Sequence, residues 1–281
     1  MRAGCTVSRL STWAASGPQE PPILAAPRRD AAIAVAISAV TAVVFAVVAS
    51  RGALTHIQRV DDSWLRLMIS ARNPPVTVIA KVLNVLGLVY VTLPVRIGIA
   101  GYLAFRRRWW HLAAFAAAVL LSEALIGPVK AVYDRARPPG SLVATSGASF
   151  PSGHAIATSV TVFAAVIALV PAGRRRAVWG LAAAGLALLM AASRAYLAAH
   201  WLSDAVAGLL LGTSCALLTA VLVDRAQRSR RRRRVIPGAV PRKTIRPADR
   251  PRAGRSSPAA RWHRGGSGGS WRRPGTGTRV T

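Results

Sequence analysis

Six apolar runs, separated by short polar or basic segments, set the plan of this chain. The first, residues 31–50, is about the length needed to cross a hydrocarbon core of ~30 Å, and Arg28-Arg29-Asp30 and Arg51 bound it. A signal peptide is the rival reading, because Val47 and Ala49 could form a weak cleavage site. Signal cores run only ~7–15 residues, and this run is longer. Residues 75–105 are too many for one upright helix at ~1.5 Å per residue, and Lys81, Asn84 and Gly87 interrupt the first half. That pattern predicts an interfacial lead-in followed by a span over residues 87–105. Further spans are predicted over residues 109–130, 154–170, 177–193 and 201–223, with residues 51–74 as a loop. The expected fold class is all-α, a six-span transmembrane helical bundle.

Charge changes the picture in two ways. More than half the residues are apolar, yet the formal net charge is +29, which suits a membrane domain with basic extramembrane segments better than a soluble core. With six spans, Arg28-Arg29, residues 106–108, residues 174–176 and the basic C-terminal tail share one side. Short cytoplasmic loops collect Lys and Arg, so that side reads as the cytoplasm and both termini lie there. Arg51, Arg59, Arg66 and Arg72 on the other side make the asymmetry imperfect. The predicted organisation is a polar leader over 1–29, a membrane domain over 30–223 and a disordered basic tail over 224–281.

The tail carries five consecutive arginines at 230–234 and scarcely any large aliphatic residue after Val240, too little apolar surface to fold. Next to a membrane it would adhere to anionic lipid. A nucleic-acid role, with Trp262 and Trp271 as stacking residues, is the reading set aside, because many structureless basic tails share this composition. Cys5 and Cys215 make neither a disulfide framework nor a zinc spacing. The abundance of Ala, Arg and Gly with few Lys points to a GC-rich bacterial genome.

The six-span parity places three polar stretches on the outer face: residues 51–74, 131–153 and 194–200. At the ends of apolar runs stand Lys130 with Arg137-Pro138, then Pro151-Ser152-Gly153-His154, then Ser193-Arg194 with His200 and Asp204. They contribute three cations, two histidines and a carboxylate, a set able to split a phosphate ester through a histidine nucleophile. The order and spacing resemble the three-part signature of the type 2 phosphatidic acid phosphatase superfamily. The resemblance covers residues 30–223 and leaves leader and tail aside. It implies a membrane-bound, metal-independent hydrolase without cofactors. The soluble vanadium-dependent haloperoxidases of that superfamily have a similar phosphate pocket, but six spans argue against their activity.

On this reading His200 is the nucleophile. Asp204, four residues on, would share a helix face with it, accept from one ring nitrogen and stabilise the charge that builds on the ring. The alternative role for Asp204 is to satisfy backbone donors at a helix N-terminus. His154 opens the fourth span, where free N–H groups and the helix dipole favour an anion. It would protonate the leaving oxygen and then activate water. Ser152 can donate its hydroxyl, and Gly153 lets backbone approach the phosphate.

Lys130, Arg137 and Arg194 would clamp the non-bridging oxygens, with snorkelling interfacial cations as the bland alternative. Arg135 either lines the mouth of the site or faces water. Asp134 is the one acidic residue close by, too few for a magnesium cluster. Arg96 and Glu123 fall inside spans, where charges are costly and usually paired, so a bridge between the second and third spans is an open expectation. The expected activity is removal of phosphate from a lipid phosphate or diphosphate, with a polyprenyl diphosphate first and phosphatidic acid or phosphatidylglycerophosphate next. A non-enzymatic membrane anchor for the basic tail is the reading from another class.

Overall fold

The computed structural model describes residues 20–235, and these form eight helices with no strand among them. α1 spans Pro27–Ala49, α2 Arg51–Ser70, α3 Pro74–Leu86, α4 Val89–Phe105, α5 Trp109–Tyr133, α6 Gly153–Leu169, α7 Arg174–Tyr196 and α8 Leu202–Val235. Their starts follow from local chemistry. Pro27 stands in the first turn of α1, where its missing N–H costs no bond. At α3, Asn73 accepts from the Val76 N–H ahead of Pro74-Pro75.

Four helices are long and apolar enough to cross a membrane: α1, α5, α7 and α8. α3 and α4 together make a fifth candidate, broken at Gly87-Leu88 and bent by 54°, and α6 is a shorter apolar helix of 17 residues. Val35, Val43, Val78, Ile97, Leu120 and Leu181 all face outward on these helices. Such an apolar belt suits lipid, not water.

α8 is the axis of the bundle. Its span is 56% buried against 17% for α1, and it packs on α1, α2, α5, α6 and α7. The tightest approach is to α6, through two glycines one turn apart. A Cβ on Gly208 would lie 2.6 Å from the Ser152 carbonyl oxygen; one on Gly212 would lie 2.6 Å from that of Ile156 and collide with Ser159 Oγ. Small residues let membrane helices approach this closely. Deeper in the bundle Arg96 donates to Glu123 at 2.6 Å and to Thr161 Oγ1 at 2.9 Å, so the expected bridge between α4 and α5 is present and extends to α6.

Contacts at the two ends of the bundle sort the polar segments. At one end Ile23, Leu24 and Ala34 pack with Ala114, Ile167 and Ala220, and the arginines at 106–108, 174–176 and 228–230 belong to this end. At the opposite end Val48, Phe150 and Ala207 pack with Tyr133, Leu54 and Ile57. All three polar stretches singled out above sit there.

Three expectations need correction. Residues 51–70 are helix α2 rather than loop: Leu54, Ile57, Asp61, Trp64 and Met68 recur at helical spacing on its inward face, while Arg59 and Arg66 face out. The leader does not end free at residue 29. Glu20 caps α5 by accepting from the Trp110 and His111 N–H groups, and Arg176 donates to the Ile23 carbonyl at 2.6 Å. The tail does not begin at 224 either. α8 continues to Val235, and buried Asp224 accepts from the Leu24 N–H and from Arg228. The rest of the expected disordered tail, with Trp262 and Trp271, lies outside the described residues.

Because Gly212 has no room for a side chain, Gly212→Val should cost about 1–3 kcal/mol through overpacking and lower the melting temperature in detergent. Gly180→Ala, where a Cβ meets nothing within 4 Å, should leave it unchanged.

Candidate active site

The site is assembled where four helix ends, of α5, α6, α7 and α8, meet two irregular segments. α5 stops at Asp134, whose left-handed backbone (φ 34°) turns the chain across the end of the bundle. The following extended segment directs Arg135 and Arg137, two residues apart, toward the same side. Residues 140–152 fold back over it, tied by Ser149 N–H to the Arg135 carbonyl at 2.7 Å and Ser152 N–H to the Asp204 carbonyl at 3.0 Å. Phe150 is fully buried against Phe45 and Tyr133 beneath this segment. Between α7 and α8 the chain turns through Ala198, also left-handed at φ 52°, and delivers His200 ahead of the helix start.

His200 has its tautomer set by a carbonyl. Its Nδ1 lies 2.7 Å from the Ser149 carbonyl oxygen, which can only accept, so Nδ1 carries the proton and Nε2 keeps a lone pair. Arg137 Nη1 stands 3.3 Å from that Nε2. Burial pushes the imidazole down to about 4, against the upward pull of Asp204 and with Arg137 and Arg194 adding to the fall. The ring is neutral at pH 7, the form a nucleophile needs.

Asp204 differs from expectation. His200 precedes α8, so the two do not share a helix face, and Asp204 Oδ2 stands 3.7 Å from Nδ1. The carboxylate instead accepts from the Trp201 N–H at 2.9 Å, from Ser149 Oγ, and from Arg135 at 2.8 Å. It therefore holds the helix start, the role weighed as its alternative, and the very segment whose carbonyl orients His200.

Arg137 is spread over the backbone, donating to the carbonyls of Ser146, Gly147 and Ala199 at 2.7–2.9 Å. Lys130 donates to the Ala148 carbonyl at 2.6 Å, so both cations are brought to the same loop. Across from them His154 stands in the first turn of α6 and faces Arg194, His200 and Arg137. Three buried polar atoms here have no protein partner: Ser152 Oγ, His154 Nε2 and Arg194 Nε. Gly153 leaves the space beside its Cα open. Unpaired buried donors cost free energy, and grouped with cations at a helix N-terminus they form a setting for an anion. Among the described residues no three His, Cys, Asp or Glu side chains converge as a metal would need.

Two groups of residues escaped the sequence reading. Arg135 does not face water. It is buried between two carboxylates, donating to Asp61 at 2.7 Å and Asp204 at 2.8 Å, with Gln58 and Ser203 completing its bonds. Asp61, on α2, also accepts from the Ser203 N–H at 2.9 Å. The signal in the sequence was the spacing of Arg135 from Arg137. The second is Asn84, whose side-chain oxygen accepts from Arg194 Nη1.

Removing the central cation would leave two buried carboxylates uncompensated. Arg135→Met should therefore destabilise the protein by about 3–5 kcal/mol, seen as a lowered melting temperature in detergent. Arg59→Met, exposed on α2, serves as the control and should have little effect.

Residues 109–228 match the family model described as the PAP2 superfamily. No curated protein matches the chain. Among solved structures, it resembles the first transmembrane PAP2 type phosphatidylglycerolphosphate phosphatase from Bacillus subtilis, at 23% identity over 70% of this chain and 96% of that one, with a TM-score of 0.55. LpxE of Aquifex aeolicus is also similar, at 23% identity over 55% of this chain and 91% of that one, with a TM-score of 0.45. The segment matched to the PAP2 superfamily model runs from the start of α5 into α8 and carries every residue of the three-part signature.

Proposed function

We propose that this protein is a membrane phosphatase that hydrolyses a lipid phosphate or diphosphate through a phosphohistidine. The observation that carries the reading is the group of unpartnered buried atoms, Ser152 Oγ, His154 Nε2 and Arg194 Nε, with His154 and Arg194 close enough to His200 to act on its charge. In the first step His200 Nε2 attacks phosphorus, the bond to the leaving oxygen breaks, and His154 supplies that oxygen with a proton. In the second, His154 takes a proton from water, the resulting hydroxide attacks phosphorus, and the P–N bond breaks to release phosphate and restore His200. Lys130, Arg137, Arg194, Ser152 and the Gly153 backbone stabilise the charge on the non-bridging oxygens, a task metal ions perform elsewhere. Asp204 acts on His200 through the loop it anchors.

Six spans suit the same reading, with α3–α4 as one bent span and α6 as the shortest, its 17 residues being just enough to cross. The arginine-rich end then lies in the cytoplasm with both termini and against anionic lipid, and the site faces outward. A polyprenyl diphosphate is the favoured substrate. The non-enzymatic anchor is the reading that a turnover assay would revive.

The test is purified protein in detergent offered polyprenyl diphosphate, phosphatidic acid and phosphatidylglycerophosphate side by side. Turnover should be greatest on the diphosphate, persist with chelator, stop with vanadate, and vanish in His200→Ala. The acid limb of kcat/KM set by His200 should lie near pH 4. Full activity in His200→Ala would end the proposal, and no turnover on any of the three lipids would favour the anchor.

Orientation is checked separately. With Cys5 and Cys215 replaced, cysteines at Ser141 and Ser146 should react with an impermeant thiol reagent applied from outside intact cells, and one at Ser229 should not. The reverse pattern would move the chemistry to the cytoplasmic leaflet.

A further inference from the structure

We infer that the elbow between α3 and α4 is a wall of the reaction pocket, with Asn84 and Gly87 as positioning residues for Arg194 and His154. Neither residue belongs to the three-part signature, and both precede the segment matched to the family model. The inference rests on His154 and Arg194 acting in the reaction proposed above.

Two contacts place the elbow against the chemistry. Arg194 is 2% exposed and has a single side-chain partner, Asn84, on Nη1, while its Nε is unpaired. One edge of the guanidinium is thus tied to α3 and the other is left for an anion. Three residues further on, a Cβ on Gly87 would stand 2.5 Å from His154 Cδ2 and 3.1 Å from Met190 Cε. The backbone at Gly87 is ordinary, with φ −85° and ψ −6°, so any residue could adopt it. What excludes a side chain is the imidazole. The backbone of Asn84 also approaches that ring.

The 54° bend makes these contacts compatible with a membrane span. α3 ends at Leu86 against the two catalytic groups, and α4 departs from Leu88 in a new direction. Asn84 sets the direction of the oxygen clamp, and Gly87 sets the depth of the proton donor. The two roles have different kinetic signatures. A displaced His154 slows substrates whose leaving group needs a proton, whereas a loosened Arg194 weakens the hold on the phosphate whatever the leaving group.

The experiment compares Gly87→Ala, Asn84→Ala and Asn84→Asp with wild type in detergent, using a lipid monophosphate and p-nitrophenyl phosphate, with vanadate as inhibitor. Gly87→Ala should lower kcat on the lipid by about a hundredfold, release a burst of nitrophenolate as phosphoenzyme accumulates, and keep the wild-type vanadate affinity. Adding Met190→Ala removes the lesser contact and should not restore the rate. Asn84→Ala should raise KM and weaken vanadate by about tenfold with both substrates. Asn84→Asp keeps an acceptor for Arg194 but adds negative charge, and should weaken vanadate further. Rescue of Gly87→Ala by Met190→Ala, or rescue by Asn84→Asp, would overturn the proposal in favour of simple packing. If Gly87→Ala does not fold, the Asn84 pair decides alone. Wild-type activity abolished by His200→Ala, beside elbow variants that behave as wild type, would sink this inference and leave the reaction standing. An inactive wild type would sink the reaction itself.

Discussion

The buried cation Arg135, held between Asp61 and Asp204, is the interaction on which the site end of the bundle depends. It joins three elements, α2, the segment after α5 and the start of α8, which the Asp61–Ser203 and Ser149–Asp204 bonds also link. A buried ion triplet rarely contributes much net stability, because each charge must leave water. Its value here is geometric. Both carboxylates also accept backbone N–H groups at the entry to α8, so the arginine fixes where that helix begins. The start of α8 in turn sets Asp204, and Asp204 sets the Ser149 segment whose carbonyl decides which nitrogen of His200 carries the proton.

The unpaired groups of the candidate site are organised on the opposite principle. Many polar groups in this bundle are satisfied, Arg96 by Glu123 and Thr161, Asp224 by Leu24 and Arg228, Thr41 by Ser214, whereas Trp64 Nε1, Arg72 Nε, Arg108 Nε and Gln227 Oε1 are not. Ser152, His154 and Arg194 each keep one buried polar atom without a partner. Holding donors unpaired is unfavourable, and it is tolerated because the surrounding packing of Gly208 and Gly212 on α6 leaves little freedom to relax. Preorganised donors of this kind need no rearrangement when charge develops on a substrate.

Much of this was legible in the sequence, for identifiable reasons. Long apolar runs fix spans because length and composition suffice, so α1, α5, α7 and α8 appear close to where the runs predicted. The Arg96 and Glu123 pair was readable as a question of cost, since each charge inside a span needs a partner. α2 is hard to read in the sequence because scattered arginines mask the recurrence of Leu54, Ile57, Asp61, Trp64 and Met68. The bond expected between His200 and Asp204 relied on helical spacing, and the chain is not helical at His200. Only the positive φ at Ala198 decides that, and no residue type there announces it. Asn84 and Gly87 were invisible as site residues because their partners lie far along the chain and no spacing links them.

The central position of α8 has a consequence for how the protein comes to exist. The helix that the others pack around is the last of the eight described helices to leave the ribosome. Until it arrives, Arg135 and Asp61 have each other but lack Asp204 and Ser203, and the face of α6 that receives Gly208 and Gly212 has no occupant. Arg96 and Glu123 can meet earlier, since both belong to helices made before α6. Assembly therefore has two stages set by the order of synthesis: an early pair neutralised within the bilayer, and a late closure in which one helix completes the packing and the candidate site together.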